Sequence, residues 1–125
     1  RIGMVTFRLM EKNDETVVYR YFPNGKAEHG FGLIVIDRLA GKIDVTELAP
    51  DDMLRRHTVE DQLRIREAIV NMRRTEQLPE LTEEEFPIPT QDRISTVFAD
   101  HAIQKIVEAY NQGQILEEGQ AIWEM

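Results

Sequence analysis

The stretch Phe31-Gly32-Leu33-Ile34-Val35-Ile36-Asp37 decides the fold class, because it is the only run in which apolar side chains occupy both faces of a strand. A strand with one wet face alternates apolar and polar residues, whereas Leu33 to Ile36 offers water nothing on either side. It is expected to lie centrally in a sheet, with the rest of the chain wrapped around it.

Upstream, Val5, Phe7 and Leu9 alternate with Thr6 and Arg8, the period of a half-buried strand, and Glu11 to Glu15 supplies a polar turn. Val17 to Phe22 predicts a second strand, antiparallel to the first, with Val17, Tyr19 and Tyr21 on one face and Val18, Arg20 and Phe22 on the other. Pro23-Asn24-Gly25 breaks it, since proline fixes φ while Asn and Gly tolerate positive φ. Downstream, Leu39 to Lys42 is a short turn and Ile43 to Leu48 a fourth strand, closed by Pro50.

From Asp51 the period becomes helical, with Thr58 as N-cap before Glu60 and Asp61. Ile65, Ala68, Ile69 and Met72 form one apolar stripe, and Val59, Leu63 and Val70 a neighbouring one, with Gln62, Arg66 and Arg73 between them. Such a split face serves either as one wide stripe on the core or as two surfaces, one packed at home and one on a partner. Leu78-Pro79 ends the helix, and Glu80 to Pro89 reads as an extended acidic connector pinned by Phe86 and Ile88. A second helix is expected from Asp92 to Gln112, ending at Gly113 and burying Phe98, Ala102, Ile103, Ile106, Ala109 and Tyr110. The tail predicts a turn and a short closing strand, with Trp123 covering the sheet edge or lying in an oligomer interface.

A chain of 125 residues has the length of one domain, and its 42% hydrophobic and 30% charged residues are ordinary for a folded globular protein. A formal charge of -8 repels a phosphate backbone, which argues against nucleic-acid binding. No window is apolar enough for a membrane span and the first residues lack a signal-peptide layout, so a cytoplasmic location is expected. Met4 reads as a natural start, and Arg1, Ile2 and Gly3 are left out of the functional argument. Without cysteine the chain has no disulfide, thiolate nucleophile or cysteine-ligated zinc.

Two patterns are familiar: Tyr19-x-Tyr21-x-Pro23-x-Gly25 leading to Gly32-x-Ile34-x-Ile36-Asp37, and His101-Ala102-Ile103-x-Lys105-Ile106 leading to Gly113, Glu117-Glu118-Gly119-x-Ala121 and Trp123. On these the chain resembles small bacterial proteins of unknown function, over residues 16–50 and 97–123. The resemblance implies one small domain, in which the span between is an expansion, and implies no activity.

Candidate chemistry is sparse. His29, His57 and His101 have no second histidine at a ligand-pair spacing, so no metal or other cofactor is expected. Glu28 and His29, in a glycine-flanked loop, are candidates for acid-base work, against the plainer reading of a solvated loop; Asp37 is another, against a turn hydrogen bond. Phosphate-binding loops and serine-hydrolase elbows are absent. Tyr19, Arg20 and Tyr21 suggest an aromatic platform for single strands, but basic company is missing. The expectation is therefore an α+β domain over residues 1–125: a four-stranded antiparallel β-meander packed against two helices, with a short C-terminal strand and a helical and connector expansion at 51–96. Its expected function is a non-enzymatic protein-protein interaction module that self-associates, or binds another protein, through Arg66, Val70, Arg73 and Trp123. The alternative is a small enzyme or ligand-binding domain using Glu28, His29 and Asp37 at the ends of the central strand.

Overall fold

Alternating side chains at the N-terminus form β1 (Ile2–Lys12), which pairs antiparallel with β2 (Thr16–Pro23) in a computed structural model that describes all residues, Arg1–Met125. The turn between them is held by Asn13, whose Oδ1 accepts from the Glu15 and Thr16 backbone N–H groups, each at 2.8 Å. Asn24 and Gly25 take positive φ of 59° and 70° after Pro23, as the breaker requires. A single 3-10 turn (Ala27–His29) then leads to β3 (Gly32–Asp37) and β4 (Lys42–Glu47). Two further short strands, β5 (Leu54–His57) and β6 (Arg93–Thr96), flank helix α1 (Val59–Thr75), and helix α2 (Phe98–Tyr110) precedes β7 (Glu118–Glu124).

The fold is α+β, with two helices, one antiparallel sheet of five strands ordered β4-β3-β2-β1-β7, and a two-stranded sheet of β5 and β6. Five strands replace the expected four, because the closing strand pairs with β1 along its length, Ile2 opposite Glu124 to Arg8 opposite Glu118. That addition also corrects the place of β3. The centre of the sheet is β2, and β3 lies one strand from the edge with Ile34 and Ile36 buried but Leu33 and Val35 only half-buried. Its second apolar face belongs to a thin layer in which Phe31 stacks on Phe22 at 6.2 Å and the Arg20 guanidinium lies 4.6 Å from the Phe31 ring centroid. Ile2 and Gly3 are sheet residues of the fold, and the Met125 N–H donates to the Arg1 carbonyl at 2.8 Å.

The chain divides into two compact units, Arg1–Met53 with Thr96–Met125, and Leu54–Ser95. In the first unit one face of the sheet presents Val5, Phe7, Val17, Tyr19, Tyr21, Ile34, Ile36 and Ala121 to Phe98, Ala99, Ala102 and Ile106 of α2, all of them buried. Each large aliphatic side chain so buried contributes roughly 1.5–3 kcal/mol. Two aromatic rings find room over glycines on the neighbouring strand: a Cβ at Gly32 would lie 2.2 Å from the Tyr21 ring, and one at Gly119 2.5 Å from Phe7. Tyr19 and Tyr21 are thus core residues, not an exposed platform; the Tyr19 hydroxyl donates to the Leu116 carbonyl at 2.6 Å and burial pushes it up to about 12.

The expected second helix starts six residues late, since residues 93–96 are strand β6 and Val97 occupies the N-cap position. Val97 has no side-chain oxygen to offer. Asp52 caps α2 instead, its Oδ1 accepting from the Phe98 N–H at 2.9 Å and its Oδ2 from the Ala99 N–H at 3.2 Å. The Tyr21 hydroxyl donates to the same carboxylate at 2.7 Å and accepts from the Ala49 N–H at 2.9 Å.

The second unit is built differently. Thr58 caps α1, its Oγ1 accepting from the Asp61 N–H at 3.1 Å, and Gln77 at a φ of 56° turns the chain away beyond its end. The acidic connector lies along α1: the Arg66 Nε–H donates to the Phe86 carbonyl at 2.9 Å, and Arg73 grips Glu85 with two hydrogen bonds of 2.6 and 3.3 Å. Asp92 accepts from Arg56 and from the Val59 N–H at 3.0 Å, tying the end of the connector to the start of the helix. No residue of Leu54–Ser95 is buried, and the buried core is formed by the five-stranded sheet and α2 with Ala49 and Val97.

Candidate functional site

The residues singled out for acid-base work sit where turn chemistry places them. His29 closes the 3-10 turn, and its Nδ1 lies 2.6 Å from Asp51 Oδ2, with close to half of each side chain exposed, 47% and 40%. Glu28 beside it has no hydrogen-bond partner. Asp37 lies at the far end of β3, a strand length of roughly 20 Å away at about 3.3 Å per residue. There its Oδ1 accepts from the Leu39 and Ala40 N–H groups at 3.0 and 2.9 Å and shapes the turn into β4. The structure does not bring Asp37 to Glu28 and His29.

The three histidines are equally dispersed. His57 Nε2 lies 3.0 Å from the Ser95 hydroxyl across β5 and β6, and His101 Nδ1 donates to the Val97 carbonyl at 2.8 Å. The His101 ring stacks on Trp123 at 3.7 Å between centroids, and Phe98 meets the same indole edge-on at 5.5 Å. Trp123 lies half-buried over α2, and its ring fills the space that a side chain at Gly3 would need.

The other three interface candidates stand together on α1. Arg66, Val70 and Arg73 line a notch of about 200 Å³ with Arg74, Leu78, Glu80 and Leu81. Beside it a shallow groove of about 410 Å³ is lined by Leu63, Arg66, Glu67, Val70, Asn71 and Arg74. Hydrogen bonds to the connector fix Arg66 and Arg73 in place, so this surface is preorganised rather than loose. Arg73 holds the Glu85 carboxyl below its ordinary 4.5 by hydrogen bonding, helped by Thr82, and Arg56 with the Val59 N–H lowers Asp92 from 3.8. Around these groups Leu63, Ile65 and Met72 remain 42%, 53% and 55% exposed, as do Leu54, Leu78, Ile88 and Ile94 to similar or larger extents. The apolar stripes read from the sequence exist, and within the chain neither is buried.

Sequence reasoning missed Asp52 as a cap, since its partners lie 31 to 47 residues away. The available signal was Val97-Phe98-Ala99, a helix start without a capping residue of its own. No helix is long and apolar enough to cross a membrane. No protein-family model matches this chain, and no curated protein or solved structure matches it either.

Proposed function

We propose that the chain is a non-enzymatic interaction module that self-associates through the α1 surface of its second unit. One observation carries this reading: Leu54–Ser95 keeps a helix of 17 residues and many large apolar side chains without burying a single residue. Isolated helices of this length are marginal in water, and their stability in proteins comes from a packed apolar face. A segment that forgoes such packing within its own chain gains it on association. Arg66, Val70 and Arg73 are the centre of the proposed surface, and Trp123 is left out of it. A group of small bacterial proteins and a cytoplasmic setting remain expectations attached to this proposal. The rival reading, a small enzyme or ligand-binding domain, would require Glu28, His29 and Asp37 to act together from opposite ends of β3. Sedimentation equilibrium tests the proposal: a reversible dimer in the micromolar range is expected, and a strict monomer up to millimolar concentration would contradict it.

A further inference from the structure

Charge is distributed along α1 in a way that selects both an occupant for this face and its direction. Val59, Leu63, Arg66, Val70 and Arg73 recur at spacings of three and four, and so lie on one stripe of the helix. Glu60, Glu67 and Arg74 recur every seven residues and so run along one flank of it. The first turn is acidic, with Glu60 and Asp61, and the last is basic, with Arg73 and Arg74. Asp61 is paired with Arg64, and Arg73 with Glu85, but neither Glu60 nor Arg74 has an ion-pair partner within the chain.

We infer that the occupant is a second copy of this chain, with the two α1 helices antiparallel about a two-fold axis near Glu67, so that Glu60 of each meets Arg74 of the other. This rests on the proposed self-association and adds its geometry. In a two-fold interface the same patch serves both partners, so it must be self-complementary. An antiparallel pair places like flanks together in reversed order, which sets Glu60 against Arg74 twice, opposes the two helix dipoles and leaves one like-charge pair, Glu67 with Glu67, at the axis. A parallel pair would bring opposite flanks together and so set neither Glu60 nor Arg74 against the other. Leu63 and Val70 then close the apolar centre of the joint, over the groove that they line with Arg66 and Asn71.

The test is a charge-swap cycle in the full chain, read by sedimentation equilibrium at low salt, with helix content checked by circular dichroism. Glu60→Arg and Arg74→Glu are each expected to weaken the dimer about ten-fold, since two exposed attractive pairs become two repulsive ones. The double variant E60R/R74E is expected to recover wild-type affinity. An equimolar mixture of the single variants is expected to form the heterodimer in preference to either homodimer. A wild-type dimer unmoved by either single swap, or one that the double swap fails to restore, overturns the antiparallel joint and leaves self-association standing. A wild-type monomer at every concentration leaves the face to a partner of other chemistry, and overturns both.

Discussion

Helices α2 and α1 carry apolar residues at the same spacings and put them to different uses. Phe98, Ala102 and Ile106 of α2 are 4%, 0% and 2% exposed against the sheet, whereas Leu63, Ile65 and Met72 of α1 are 42%, 53% and 55% exposed. The difference lies in what surrounds the stripe. In α2 the apolar side is unbroken, and its start is fixed from outside by Asp52, a residue of the same unit. In α1 the stripes are interrupted by Gln62, Arg66 and Arg73, and both arginines hold the connector. A helical period therefore identifies a face, while the polar residues set into that face decide whether the chain's own core buries it.

The sharpest way to break the comparison is to truncate equivalent apolar positions in the two units. Ile34→Ala is expected to cost about 2–5 kcal/mol in urea-induced unfolding, as a fully buried residue should. Ile65→Ala at dilute concentration should stay within about 0.5 kcal/mol. Equal losses at both sites would show that the second unit is as well packed as the first.

Next in size comes the joint at Asp52. Asp52→Ala leaves the Phe98 and Ala99 N–H groups and the Tyr21 hydroxyl without their acceptor and is expected to cost about 2 kcal/mol. Asp52→Asn keeps an acceptor and should recover part of that loss. Thr58→Ala, which removes the α1 cap, should cost about 1 kcal/mol of local helix stability, read by amide exchange in α1 and silent in the sheet.

Acid and alkali should separate the units most finely. Glu85 and Asp92 are held below their ordinary values, so their hydrogen bonds stabilise the second unit above 4.5 and 3.8 respectively and are lost as pH falls below those values. Tyr19 is raised from 10 to about 12, so its contribution to the first unit is whole below pH 10 and fades as pH rises towards 12. Exchange followed across pH is expected to show α1 loosening on the acid side while the sheet persists, and the sheet failing on the alkaline side. Simultaneous loss of both units at either extreme would mean that one cooperative structure spans the chain.

Much of the fold was legible where its evidence is local. Alternation at Val5, Phe7 and Leu9 and at Val17, Tyr19 and Tyr21, the Asn24-Gly25 turn and the Thr58 cap each depend on a few neighbouring residues. The errors share one physical cause, which is dependence on a distant partner. β5 and β6 are four residues each and exist by pairing with one another across the whole of α1 and the connector. The late start of α2 depends on Asp52, 46 residues before Phe98. β3 lost its central place because β7, from the far end of the chain, joined the other side of β1. For the candidate site, the sequence showed the split face of α1 with its interrupting arginines. It could not show that Arg66 and Arg73 are fixed by Phe86 and Glu85, nor that Trp123 is occupied by His101 and Phe98.

The central claim is that the second unit completes its packing only on association, and amide exchange as a function of protein concentration measures this directly. Protection of the Leu63–Met72 amides is expected to be weak in dilute solution and to rise as concentration passes through the dimer range, while protection across β1, β2 and β3 stays constant. Strong protection of α1 that does not change with concentration would contradict the account.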